Sequence, residues 1–313
     1  MLSMGERSSR ADGVAQALAR ACIADVLALK PGNVSVYAAG HGMVAADFVR
    51  SAQAIVGPLT APGLGVGARI LRAVEATRAA VGCNTNLGIV LACAPLCQAA
   101  LEAGRGVSLR GALQRLLKRL DVADAQDAYR AIRVANPGGL GRSERYDVRG
   151  RARVSLLAAM AEAQDRDSIA RQYANGYQEV FELGVPRARW ALARWESEEW
   201  AAVAIYLGLL ARLPDTHVAR KLGLAAARRV SAEAAPLEAA FVRCHHPEEL
   251  VPRLLDWDRR LKSEGINPGT TADLTVASLF VLYLQDMLDK EFGGCDGMKS
   301  TAAPSAGLRS AVS

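Results

Sequence analysis

Aromatic residues are scarce: Phe, Trp and Tyr together make up 5% of the 313 residues. No stretch alternates Val, Ile or Thr with polar residues at period two. The shortage argues against a sheet-built protein, because strands draw on β-branched and aromatic side chains. Ala and Leu, which dominate the 51% hydrophobic content, are among the best helix formers. Lysine is nearly missing, with six residues against an arginine majority, and the net charge is only +6. That balance suits anionic small molecules as well as nucleic acid and decides little. Long apolar runs are absent too. The longest, near 87–97 and 201–210, fall short of the roughly 20 residues that a membrane helix needs. The N-terminal "MLSMGERSSRADG" lacks the apolar core of a signal peptide. The expectation is a cytoplasmic protein with no membrane partner. The six cysteines lack disulfide-like spacing and read as reduced thiols in or beside apolar stretches, among them Cys22, Cys83, Cys93 and Cys97. Cys93 and Cys97 share a helix face but have no second ligand pair, so they imply no metal site.

What is present is helical periodicity. Val14, Leu18, Cys22, Val26 and Leu29 recur at helical spacing after a candidate Asp12 cap, and Pro31 stops the run. The same pattern predicts helices near 44–57, 66–81, 86–103, 108–119, 123–135, 154–183, 187–212, 216–233, 246–263 and 271–291. The fold class is therefore all-α, a single multi-helix domain over 11–291. Residues 1–10 are expected to be flexible, and the Gly/Ser/Ala-rich stretch 292–313 to be disordered.

The breaks between helices carry most of the polar chemistry. Asn84 and Thr85 precede the helix near Leu87. Asp215 and Thr216 precede the helix holding Arg220, and Thr270, Thr271 and Asp273 open the last long one. Asn, Asp and Thr are ordinary N-cap residues, which is the plain explanation for each alone. Helix N-termini also present unpaired N–H groups to phosphate, so several meeting near Lys30 and Arg220 would make a polyphosphate site. Other motifs carry less. "GLGVG" (63–67) follows no strand, and no phosphate-binding loop of the G-x-x-x-x-G-K-[ST] type occurs. His245-His246 lacks partner ligands. Trp190, Trp195 and Trp200 read as packing residues, and the Arg-rich loop 142–153 as a solvated segment rather than a nucleic-acid surface.

Read in order, "KPGNV" (30–34), "GH-x-M" (40–43) with Phe48 and Ser51, "NTNLG" (84–88), "DTHVARKLG" (215–223) and "NPGTTADL" (267–274) resemble the triphosphoribosyl-dephospho-CoA synthases. The resemblance spans roughly residues 20–285. It implies an all-helical pentosyltransferase that joins the ribosyl C1 of ATP to a ribose hydroxyl of 3'-dephospho-CoA, keeps the triphosphate and releases adenine. Magnesium is implied by the charge of the triphosphate. The chain departs from the family pattern at Gly42, where an acid is usual, and at Asn86, where "NTH" is usual. It also departs in "QYANGY" (172–177), which lacks the acid of the middle motif. Divergent members of this kind resemble homologues associated with methanopterin-type one-carbon metabolism, so another acceptor, or a non-catalytic nucleotide-binding protein, stays open.

Within that reaction, Lys30 and Arg220 fall to phosphate, and Asn33, Asn84 and Thr85 to ribose or phosphate oxygens. His41 falls to purine or phosphate. Asp215 and Asp273, the latter beside Asn267, are the candidate catalytic carboxylates and the candidate magnesium ligands. The Pro31-Gly32 break is expected to let Lys30 and Asn33 project into a cleft.

Overall fold

Three helices that are apolar on every side form the centre, as expected for helices enclosed by others. They are α4 (Leu87–Glu102), α10 (Glu198–Leu210) and α14 (Gly269–Gly293), and every residue from Ala201 to Leu210 is buried. The computed structural model describes residues 4–293 apart from Ala39 and His41. Around the centre pack α1 (Met4–Leu27), α2 (Ala45–Thr60), α3 (Val66–Val81), α5 (Leu109–Leu117), α6 (Val122–Ala135), α7 (Leu156–Ala163) and α8 (Ser168–Asn175). Then follow α9 (Val185–Trp195), α11 (Thr216–Leu222), α12 (Leu224–Arg243) and α13 (Val251–Ser263). α14 touches α1, α4, α9 and α10, while α2, α3 and α6 form a layer against α4.

No strand occurs among the described residues. Two isolated bridges, Ser35 with Ala38 and Gly40 with Met43, lie in the loop after α1. The all-α expectation holds. α14 alone among the described helices has the length and apolarity to cross a membrane, and 78% of its apolar window is buried inside the protein, as for a core helix.

Several boundaries differ from the sequence reading. α1 begins at Met4 rather than after Asp12, so residues 4–10, read as flexible, are helical. Arg10 explains why: it is buried, donates to the Ala103 carbonyl at 2.5 Å and pairs with Glu291, tying the first helix to the last. The stretch 154–183 is not one helix. Asp167 caps a new start at Ser168, Gly176 ends α8 in a left-handed conformation, and a π turn covers Val180–Gly184. Ser197 likewise separates α9 from α10, and Gly223, at φ +89°, separates α11 from α12. Periodicity alone runs through such breaks because the apolar face resumes in phase on the other side. Trp190, Trp195 and Trp200 pack against the core, with Trp195 edge-on to Phe241 at 5.0 Å. The tail 294–313 and His41 lie outside the described residues.

Candidate active site

The break after α1 is built from four directions. Lys30 is fully buried and pairs with Asp25, which lies one helical turn back on α1. The Pro31 carbonyl accepts from the Tyr206 hydroxyl at 2.6 Å, and the Gly32 N–H donates to Asp258 at 2.8 Å. Asn33 donates through its side-chain amide to Asn267 at 2.9 Å. Gly32 is required twice over. Its φ is +83°, and a Cβ there would lie 2.8 Å from Pro268 and 3.1 Å from the Ile266 carbonyl. The break therefore locks onto the loop that leads into α14. Only half of the cleft expectation is met. Asn33 reaches the cavity described below, whereas Lys30 stays behind its wall and acts through Asp25.

That cavity, about 180 Å³, lies where the ends of α1, α4, α8, α11 and α14 converge. Its lining includes Asn33, Asn84, Thr85, Arg220, Asn267 and Asp273 from the candidate set. The Asn84 side chain accepts from the Leu87 N–H at 3.1 Å, so it also supports the first turn of α4. Thr85 shares a 2.5 Å hydrogen bond with Ser51. Arg220 donates to the Gly138 carbonyl at 3.3 Å and lies 3.8 Å from Asp167. His41 lies outside the described residues, so the structure places it nowhere.

Asp215 is not where the reading put it. It is buried behind the lining, and one oxygen accepts from the Val218 N–H at 2.9 Å. The other accepts from the Thr271 N–H and hydroxyl, each at 2.7 Å. Both oxygens are spent on capping α11 and clamping it to the first turn of α14, so the plain capping explanation wins here. Burial pushes its carboxyl up while these hydrogen bonds pull it down.

Asp273 is the opposite case. Its carboxylate lines the cavity and accepts no hydrogen bond among the described residues. It rests on Gly88 at the start of α4, where any Cβ would overlap the carboxylate. Burial holds its pKa well above the usual carboxylate range, and Asp215, Asp25 and Asp167 add to this while Lys30 opposes it. Asp25 reaches the same cavity, with one oxygen on Lys30 and the other without a partner. Burial pushes the Asp25 carboxyl up and the Lys30 ammonium down, each opposed by the charge of the other.

Three lining residues escaped the sequence reading. Asp25 falls on the apolar stripe of α1, at helical spacing from Leu18, Cys22 and Leu29, and a carboxylate there was a usable signal. Asp167 was hidden because it fell inside a supposed continuous helix. His217 sits between two chosen residues in "DTHVAR" and packs against Gly269, whose missing Cβ makes room for the ring.

A second cavity, about 570 Å³, adjoins the first and shares with it Leu91, Ile132, Leu140, Asp167, Ile169 and Arg220. Together they offer a carboxylate that accepts no hydrogen bond among the described residues, several amides and hydroxyls, and Arg220 at the junction. Such a set can stabilise positive charge that develops on a sugar carbon and orient hydroxyl and phosphate oxygens around it.

The comparisons with known proteins point the same way. The CitG family, ATP:dephospho-CoA triphosphoribosyl transferase, matches residues 11–292. The crystal structure of a protein from Archaeoglobus fulgidus, named provisionally as a triphosphoribosyl-dephospho-CoA synthase, is similar with a TM-score of 0.59 and 25% sequence identity. The similarity covers 77% of this chain and 98% of that one. No curated protein matches the chain.

Proposed function

Because the chain belongs to the CitG family of ATP:dephospho-CoA triphosphoribosyl transferases, we propose that the Asp273 cavity is where the ribosyl carbon of ATP changes partners. The observation that carries this is the Asp273 carboxylate, seated over Gly88, facing the cavity and accepting no hydrogen bond among the described residues. In the transfer, the bond from C1 to adenine breaks and a bond from C1 to a ribose oxygen of dephospho-CoA forms. Adenine takes up a proton as it leaves, the acceptor hydroxyl loses one, and the triphosphate stays on the transferred ribose.

A carboxylate beside C1 favours the oxocarbenium-like transition state more than the neutral ground state, which is the condition for acceleration. In its ionised form Asp273 supplies that charge, and its raised pKa makes the same carboxylate a stronger base for the hydroxyl proton. Asn33, Asn84, Thr85 and Asn267 orient sugar and phosphate oxygens, Arg220 binds phosphate, and Lys30 sets the charge state of Asp25 from behind the wall. Asp215 holds α11 against α14, which fixes Arg220 and Asp273 relative to each other.

Magnesium fits this arrangement through the substrate rather than through a prebuilt cage. No group of three or more metal-ligating side chains exists among the described residues. Mg²⁺ is commonly held by one or two carboxylates together with substrate phosphates, and Asp273, which accepts no hydrogen bond among the described residues, would be the carboxylate that holds it. When bound, the ion would neutralise charge on the triphosphate.

A different acceptor, such as the methanopterin type used in one-carbon metabolism, is the second reading, and it rests on a departure from the family motif at the cavity. Asn86 stands where the family motif has histidine, lines the cavity and takes a 3.0 Å hydrogen bond from Thr77. The test is adenine release from ATP, with the product weighed by mass spectrometry. Dephospho-CoA should yield one adenine per acceptor consumed and a product that retains three phosphates. Release with a pterin acceptor alone would move the acceptor assignment, and release with none would leave only nucleotide binding.

A further inference from the structure

The larger cavity has no role in the roles assigned so far, and its chemistry differs from that of its neighbour. Its floor is apolar, with Tyr129, Ile132, Leu156 and Met160, and four arginines, Arg142, Arg166, Arg171 and Arg220, outnumber three aspartates, Asp147, Asp165 and Asp167, in its lining. Arg166 is held in place by donating to the Ser143 hydroxyl at 2.9 Å and to the Glu162 carbonyl at 3.2 Å. Arg142 is exposed and makes no hydrogen bond among the described residues. An apolar floor under guanidinium groups suits a flat base or an aliphatic arm joined to a diphosphate, since arginine pairs with phosphate through two parallel N–H bonds.

Size separates the two cavities as well. Sites for drug-sized ligands run from about 300 to 1,000 Å³. The 570 Å³ space falls within that range, and the 180 Å³ space takes only a sugar-sized fragment. The transfer needs the ribosyl carbon of the donor beside Asp273, in the small cavity. The other nucleotide must then approach from the side that opens onto it. Asp167 and Arg220 line both spaces, so a ribose at that junction faces both.

Resting on the transferase reading above, we infer that the larger cavity is the acceptor subsite. It holds the adenosine diphosphate portion of dephospho-CoA, with the base and arm on the apolar floor, the diphosphate on Arg142, Arg166 and Arg220, and the reacting ribose at the Asp167–Arg220 junction.

Two variants test this. Ala159→Trp fills the cavity from α7, where Ala159 is part of its wall, and Arg142→Ala removes an exposed rim cation without touching the core. Steady-state rates are measured with ATP and dephospho-CoA varied separately, and binding of each nucleotide alone is measured by calorimetry. Each variant should raise the KM for dephospho-CoA at least about tenfold, the equivalent of about 1.4 kcal/mol, and leave the KM for ATP within about twofold. A rise confined to ATP would make this the donor site and overturn the inference, as would no change in either. If A159W does not fold, as judged by its circular dichroism and melting, R142A decides alone. The reaction and the subsite can fail separately. Dephospho-CoA that binds the wild type, is lost in A159W and yet triggers no adenine release sinks the transferase reading and leaves the subsite. Failure of dephospho-CoA to bind the wild type, with adenine released to another acceptor, does the reverse.

Discussion

Asp273→Asn and Asp215→Asn make the same chemical change at two aspartates of one region, the first half-buried and the second buried, and the structure demands opposite outcomes. At position 273 the carboxylate accepts no hydrogen bond among the described residues, so the amide loses none, and it relieves a charge that burial and three neighbouring carboxylates disfavour. The melting temperature should stay within about 2 °C of wild type or rise. At position 215 the carboxylate accepts from the Val218 N–H at one oxygen and from both the N–H and the hydroxyl of Thr271 at the other. An amide keeps only one acceptor oxygen and turns an NH₂ group toward a donor or leaves it unpaired. Hydrogen bonds to charged groups contribute roughly 1.5–3 kcal/mol each, so losing the Thr271 pair costs about 3 kcal/mol. For a chain of this size a kcal/mol moves the midpoint by about 2 °C, which gives a fall of about 6 °C. Turnover should behave the other way. If Asp273 acts at C1 as proposed, D273N removes the charge that the transition state needs and should slow adenine release by about 100-fold or more, about 2.7 kcal/mol of transition-state stabilisation. D215N, measured well below its own midpoint, should lose far less. Scanning calorimetry and adenine release on the same preparations check both. A D273N protein that turns over normally would remove Asp273 from the chemistry, and a D215N protein that melts normally would remove the clamp.

Gly88→Ala should gain up to about 1 kcal/mol of helix propensity but drive its methyl group into the Asp273 carboxylate; a rate loss above about tenfold is expected, read as kcat in steady-state assays. Lys30→Met leaves Asp25 charged and buried without its partner, at a cost of about 3–5 kcal/mol in urea unfolding, and adding Asp25→Asn should recover most of it. The native pKa of Asp273 is raised, so its stabilising contribution is full below the unfolded value of about 3.9 and is lost as pH rises through the native value. The melting difference between D273N and wild type should therefore grow in favour of D273N from about pH 4 upward, and a difference that shrank with pH would refute the raised value. Gly32→Ala meets both a positive φ and Pro268 and should lower stability by more than about 2 kcal/mol in the same unfolding assay.

The helical class was legible because Ala- and Leu-rich periodicity ran through almost every segment, and the sites of Gly and Pro punctuation marked real turns at 31–33, 82, 137–141 and 265–268. Lost were the breaks at Asp167, Ser197 and Gly223. Each replaces one helix by two whose apolar faces stay in phase, so spacing reports a single long helix and only the cap residue betrays the join. The start of α1 was lost for a different reason. Asp12 has the composition of a cap, but the helix continues back to Met4 because Arg10 finds a carbonyl on the far side of the core and a carboxylate on α14, and such partners, 93 and 281 positions away, leave no local trace.

The site was half legible, and which half follows from what a polar residue before a helix can be doing. Sequence identifies Asp215 and Asp273 as the same kind of residue, an acid at a helix start. The difference between them is made by two residues elsewhere. Thr271 turns its N–H and hydroxyl onto Asp215 and consumes it, whereas Gly88 offers Asp273 a surface with no side chain, neither a Cβ nor a hydroxyl to donate. A carboxylate without hydrogen bonds in a largely desolvated place raises the free energy of the folded state, and such costs cluster at functional sites, where a ligand or a developing charge can supply the missing partner. The same logic applies to Asp25, which interrupts the apolar stripe of α1 and keeps one oxygen unpaired at the cavity while Lys30 balances the other. In this chain Asp215, which satisfies its own helix, is scaffold, and the acids whose hydrogen bonds stay unmade among the described residues are the ones that the proposed transfer draws on.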